Sequence, residues 1–317
     1  MAGQLRVYRQ RARAVRSTQK ITKAMELIAA SRIAKAQARM KAAQPYAQEM
    51  TNALAALGSN ASLKHPMLTG VETPRRAGIL IVTSDRGLAG GYSSNALKRA
   101  NDLARRIESE GKEPVRYVIG RKGVGYYRFR RIEIAGAFTG FSEQPNFDAA
   151  KEAIDAVVAA LLATSEGHVH GDADQSRGID ELYLVFTRFE NSVTQVVTAP
   201  KVSPVQVEGA ADTDDDRRSD ASGPQAQYEF EPDASALLDS LLPRYVGARI
   251  YSALLESATS ESAARRQAMK SASDNADELI RTYTRLANQA RQAEITQEIS
   301  EIVGGADALA SAGGDER

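Results

Sequence analysis

Met269, Ala272, Ala276, Leu279, Tyr283, Leu286, Ala290 and Ala293 recur at alternating steps of three and four residues, within a stretch from Arg244 to Val303 that holds no proline and one glycine, Gly247. Such spacing predicts a long helix that packs along a single seam. A seven-residue repeat drifts around a straight helix and so implies a left-handed supercoil with a partner. At 1.5 Å per residue the stretch would be roughly 90 Å long, deeper than any ordinary globular core, so the helix is expected to project from its domain.

The expected partner lies at the other end of the same chain. From Gln4 to Leu57 there is no glycine and the only proline is Pro45. Apolar residues fall at Leu5, Tyr8, Ala12 and Val15, then after a change of phase at Ile21, Met25, Ile28 and Ile33. Two long helices at opposite ends of one chain pair most simply as an antiparallel coiled coil. The many alanines let the backbones approach but bury little apolar area, at about 25 cal/mol per Å², so the rod is expected to be wrapped by partner proteins.

The chain has 317 residues, 43% of them hydrophobic, enough for one medium domain besides the rod. Its 41 Lys+Arg against 40 Asp+Glu conceal an asymmetry, because residues 1–50 carry eleven Lys/Arg and only Glu26 and Glu49. A basic first helix suits acidic protein surfaces. It also suits nucleic acid, although aromatic residues are almost absent beside its charges, Tyr8 and Tyr46 alone. With no cysteine, disulfides, thiolate metal sites and cysteine nucleophiles are excluded. The arginine-rich start has no apolar signal core and no apolar run approaches a membrane span, so a soluble protein is expected, one able to sit beside a membrane.

Between the helices the period changes. Gly78 to Thr83 reads as a buried strand, followed by a turn from Ser84 to Gly91 and a helix from about Ser93 to Glu110. A strand at Val115 to Ile119, a short helix near Lys122 to Phe129, a helix from about Asn146 to Ala163, and strands at Ile179 to Phe186 and Ser192 to Ala199 complete a Rossmann-like α/β domain inserted between the rod helices. The expected divisions are a first rod helix over 1–58, an α/β domain over 77–207 with a mobile loop at 165–178, a charged connection over 208–231, a second rod helix over 232–306 and a flexible tail over 307–317. Segment 165–178 has three glycines and no apolar period, and Glu208 to Gln227 carries six acidic residues with two arginines.

Little in the chain points to catalysis. Gly87, Gly90 and Gly91 lie between a strand and a helix, where glycines let backbone amides approach a phosphate, but the spacing fits neither dinucleotide nor P-loop patterns. A structural tight turn is the stronger reading there, and more so for Gly120, Gly123 and Gly125. His168 and His170 with Asp172 and Asp174 have metal-ligand chemistry but sit in the glycine-rich segment, where a solvated loop is the expectation. No catalytic, cofactor-binding or metal-binding residues are assigned. An α/β nucleotide-binding enzyme and a nucleic-acid-binding coiled coil are the competing readings, tested by nucleotide binding and by salt-sensitive retention on nucleic acid.

Four segments carry a family resemblance. Arg16 to Ser31 (RSTQKITKAMELIAAS) and Ile295 to Ala306 (ITQEISEIVGGA) closely resemble the terminal hallmarks of gamma subunits of rotary F-type ATP synthases. Ser84 to Gly91 resembles the family's central turn, with Ala89 where many members have cysteine, and Glu261 to Ala276 also fits. The resemblance covers about residues 3–306. It implies an antiparallel coiled coil with an α/β domain at its base, acting as the central rotor shaft of a proton-translocating complex. The implied partners are an alternating hexamer of alpha and beta subunits, an epsilon subunit and a membrane c-ring, with no nucleic acid and no cofactor. ATP chemistry would occur on the beta subunits.

By the same resemblance, Lys20, Lys23 and Met25 would face an acidic lever of a beta subunit. Arg265, Arg291, Gln292 and Thr296 would form the matching surface on the second helix, with Glu298 nearby, and Ile299, Ile302 and Val303 would form an apolar tip. Redox control through a cysteine pair, as in chloroplast members, is impossible in a chain without cysteine. The implied setting is bacterial, at the cytoplasmic face of the cell membrane.

Overall fold

The computed structural model describes residues 2–58, 65–163, 178–205 and 234–312. His168, His170, Asp172, Asp174 and residues 208–227 lie outside the described residues, as does the glycine-rich segment apart from Gly178. The elements run α1 (Ala2–Gly58), α2 (Pro66–Thr69), β1 (Arg76–Val82), α3 (Tyr92–Ser109), β2 (Glu113–Ile119), α4 (Arg121–Phe129), β3 (Gly136–Phe138), α5 (Phe147–Ala163), β4 (Glu181–Phe189), β5 (Gln195–Thr198), β6 (Lys201–Ser203) and α6 (Ala234–Ala312). The chain divides into two compact units, Met1–Ile28 with Arg266–Arg317, and Ala29–Arg265.

The second unit is a mixed sheet in the order β3-β2-β1-β4-β5, with β6 also on β4. β1 pairs in parallel with β2 and β4, and β2 in parallel with β3. The far edge of β4 is shared by two short antiparallel strands, β6 near Leu182 and β5 near Phe186. β1 is apolar on both faces because both are covered, as parallel strands require. Ile79 and Ile81 pack with Leu97, Leu103 and Ile107 of α3 and Tyr127 of α4. Leu80 and Val82 pack with Ile154 and Val157 of α5, Leu242 and Ile250 of α6, and Leu54 and Leu57 of α1. Strand β3 and strand β6, three residues each, were too short to show a period, and neither was expected.

α6 begins ten residues before the proline-free stretch and continues through Pro243, while α1 continues through Pro45. A proline within a helix removes one hydrogen bond, but each lies well inside a long helix whose remaining backbone bonds carry the element through it.

In the first unit, α1 and α6 run antiparallel. Arg11 lies over the ring of Tyr283, and Thr22 Oγ1 shares a 2.7 Å hydrogen bond with Ser273 Oγ. Moving forward along α1 from Arg11 to Thr22 therefore moves backward along α6 from Tyr283 to Ser273. The seam differs in detail from the apolar pattern. On α1 it passes through Leu5, Tyr8, Ala12, Val15, Gln19 and Thr22 with no change of phase, and the expected Ile21 and Ile28 are 59% and 53% exposed. On α6 it follows Met269, Ser273, Ala276, Ile280, Tyr283, Ala287, Ala290 and Glu294, leaving Leu279 and Ala293 in solvent. Both heptad readings of α6 share every second position. The partner's position decides between the alternates, because Ser273 is satisfied by Thr22 inside the seam.

Candidate functional site

The sheet order reverses between β1 and β4, where open α/β sheets usually bind ligands at the carboxyl ends of their strands. Here the chain fills that place with its own side chains. Thr83 Oγ1 donates to the Ile119 carbonyl at 2.8 Å and accepts from the Gly123 amide at 2.9 Å. Gly120 has φ 97°, and a Cβ there would fall 2.1 Å from the Thr83 carbonyl oxygen, so this close approach requires glycine. In the second cluster Gly123 is packed in the same way, where a Cβ would fall 2.7 Å from Thr83 Oγ1, whereas Gly125 faces open space among the described residues. The amides of Ser84 and Asp85, which a phosphate would need, are taken by Ser93 Oγ at 3.2 Å and Ser142 Oγ at 2.8 Å.

Asp85 binds the loops at the strand ends together. Its carboxylate accepts from the amides of Arg121, Gly140 and Ser142 at 3.0, 2.8 and 3.0 Å. Burial pushes its pKa up, but those donors outweigh burial and hold it below the usual carboxylate value.

Beside this turn lies an ion cluster that draws on four segments. Arg265 of α6 is 5% exposed. Its Nη2 donates to Glu261 Oε1 at 2.7 Å, and its Nη1 lies 3.3 Å from Glu143 Oε1 in the loop after β3. Glu143 also binds Arg32 of α1 and lies 3.9 Å from Arg86 of the turn. Burial pushes Glu261 up to about 7, against the opposing pull of Arg265. A buried guanidinium needs such partners, because an uncompensated buried charge costs several kcal/mol, about 3–5.

This corrects the expected place of Arg265, which is not on the surface of the helix pair. The other expected contact residues are accessible at two separate levels. Lys20 is exposed, Lys23 bonds Glu26 at 2.9 Å, and Met25 is half-buried, all beside the part of α6 around Ser273. Arg291, Gln292, Thr296 and Glu298 are exposed beyond Tyr283, some twenty residues and about 30 Å further along α6. They do not form one patch with Lys20 and Lys23. In the register set by Thr22 and Ser273, α1 reaches its first residues near Arg291, so Ile299, Ile302 and Val303 stand on α6 without α1 beside them. Ile302 is 72% exposed.

Sequence reading missed the exposed apolar strip of Ile21, Leu27 and Ile28, having set two of its members in the seam. It also missed Asp85, Glu143, Arg32 and Glu261. The i, i+4 pair Glu261 and Arg265 within an otherwise small and apolar run was the available signal. Among the described residues no group of acids and histidines could hold a metal, and no helix is long and apolar enough to cross a membrane.

Comparisons with known proteins agree with this architecture. A family model described as ATP synthase matches residues 4–309. The ATP synthase gamma chain of a Parafrankia species is 55% identical over 312 residues, 98% of this chain and 99% of that one. The gamma chain of Salinispora tropica is 55% identical over 316 residues, 99% of this chain and 100% of that one. Among solved structures, a chain of the Euglena gracilis mitochondrial ATP synthase aligns with a TM-score of 0.65 at 15% identity, covering 100% of this chain and 98% of its own length. A chain from the Tetrahymena thermophila mitochondrial ATP synthase central stalk and c-ring aligns with a TM-score of 0.53 at 20% identity, covering 80% of this chain and 99% of its own. The structural likeness shows the fold, the full-length identity shows the family, and this chain belongs to the ATP synthase gamma chain family.

Proposed function

We propose that the chain is the central rotor shaft of a bacterial F-type ATP synthase, turning inside an alternating hexamer of alpha and beta subunits. An epsilon subunit and a membrane c-ring would hold it below, at the cytoplasmic face of the cell membrane. As a gamma chain it is a non-catalytic subunit. The observation that carries the reading is the antiparallel heptad pair of α1 and α6, whose alanine-rich seam leaves charged and apolar residues uncommitted on its outside. A shaft of this kind works as a ligand: its orientation favours a different conformation in each surrounding subunit, so turning it moves each through open and closed states. Proton flow through the ring would supply the torque.

Lys20, Lys23 and Met25 would meet a beta subunit at one level and Arg291, Gln292, Thr296 and Glu298 at another, with Ile299, Ile302 and Val303 turning in an apolar sleeve. Arg265 takes no direct part, since its charge is spent within the chain. The test is Arg291→Ala with Gln292→Ala in the whole complex. Removing a charge-assisted contact costs about 2–5 kcal/mol, so proton pumping per ATP hydrolysed should fall while assembly is retained. Normal coupling in that variant, or ATP turnover by the isolated chain that is abolished at Gly90 or Gly91, would sink the assignment.

A further inference from the structure

A cavity of about 440 Å³ opens between α1, α5 and α6 in the Ala29–Arg265 unit. It exists because three helices meet through small residues. Ala43 and Ala47 recess one wall and Gly247 and Ala248 another. A Cβ on Gly247 would lie 3.1 Å from Ile154 Cγ2, so α5 and α6 already touch there and close the floor. Large rings stand around the opening. Tyr46 is 58% exposed and Phe147 51%, with the Phe147 ring set edge-on to Tyr251 at 5.7 Å. The size and the apolar, aromatic lining are those of small-molecule sites.

The charges at the mouth are unequal. Asp155 is engaged by Lys151, one turn away on the same helix. Arg244 lines the cavity, is exposed, and has no acidic partner among the described residues. The charge left available is therefore positive, above an apolar slot. We propose that this cavity binds an amphipathic organic anion, its apolar body between α1, α5 and α6 and its acid group on Arg244. Arginine suits that role because its planar fork pairs with a carboxylate through two hydrogen bonds. The site is independent of the helix-pair contacts assigned above.

The experiment titrates the purified full chain with dodecanoate and with dodecyltrimethylammonium, which carries the same tail and the opposite charge, both below their micellar concentrations, by calorimetry. The expected result is saturable one-to-one binding of dodecanoate and at least about tenfold weaker binding of the cation. Arg244→Gln should remove that preference while leaving tail binding. Ala47→Trp, which fills the slot from a half-buried position, should weaken both ligands. If Ala47→Trp does not fold, Ala43→Phe provides the same block. Absence of saturable binding, equal affinity for both charges, or binding indifferent to Arg244→Gln and to the blocking variants overturns the proposal. Repeating the titration on the assembled complex separates the remaining occupant: binding lost there because another subunit covers Tyr46 and Phe147 would reassign the groove to protein docking and overturn the ligand site.

Discussion

The helix pair and the α/β unit solve the same problem, holding α1 and α6 in place, by opposite means. In the pair, the seam alternates a few large residues, Leu5, Tyr8, Met269 and Tyr283 among them, with Ala12, Ala276, Ala287 and Ala290, and Thr22 and Ser273 share a hydrogen bond across it. Around the sheet, α6 is held by a large apolar cluster, by Arg265 and Glu261 inside the fold, and by Glu143, which also binds Arg32 of α1. A two-helix seam in which alanines alternate with larger residues buries less area per residue than a sheet core and leaves its outer faces free for partners. A core with a buried ion cluster fixes one geometry but tolerates little change. The pair should be cheap to alter and the cluster expensive.

The sharpest test is Arg265→Met, which leaves Glu261 and Glu143 facing each other in the interior and should cost about 3–5 kcal/mol, read from urea denaturation of the full chain. Adding Glu261→Gln should restore most of that loss, since an apolar and neutral pair has no uncompensated charge. The same glutamine carries a pH signature. Burial raises Glu261 in the folded state from the ordinary 4.5 to about 7, so its favourable contribution is complete below about 4.5 and is lost as pH rises towards 7. Glu261→Gln should flatten stability across that window, and an unchanged slope would show that Glu261 stays charged.

Next in size, Asp85→Asn removes a carboxylate from three backbone donors and should cost about 1.5–3 kcal/mol. The folded pKa of Asp85 lies below 3.8, so the aspartate stabilises above that value and the benefit disappears as pH falls through the folded pKa. The variant should lose this acid-side dependence, in the opposite sense to Glu261.

In the helix pair, Thr22→Val alone leaves Ser273 unpaired and should cost about 1–2 kcal/mol, whereas Thr22→Val with Ser273→Val should come back to within about 0.5 kcal/mol of the parent. If the double variant is as damaged as Arg265→Met, the contrast between the two regions fails. The smallest effect belongs to Ile302→Ser, on a helix face with no partner among the described residues: stability of the isolated protein should change by less than about 0.5 kcal/mol. A larger loss would mean that this end of α6 is packed within the chain.

The long helices were legible because a heptad pattern extends over many turns and needs no knowledge of the partner. The parallel strands were legible as continuous apolar runs such as Ile79 to Val82, with glycine turns at their ends. The register of the pair was not legible. Ser273 and Ala272 are neighbours, as are Ile280 and Leu279, and the more apolar choice was wrong at the seam because Thr22 stood opposite to accept the polar one. Arg265 was read as needing a partner, and its place was misjudged because Glu143 lies 122 residues away in sequence, in a loop whose position depends on β3 joining the sheet edge.

By itself, then, the sequence determined the two end helices, the inserted α/β layers and the family, since local periodicity and dense motifs are properties of neighbouring residues. Only the tertiary structure decided which face of each helix is buried, that the amides of Ser84 and Asp85 at the strand ends are taken by Ser93 and Ser142, and which charges remain free for a partner. Those outcomes depend on which distant groups meet, and a buried charge or a seam position is set by the group across from it rather than by its neighbours along the chain.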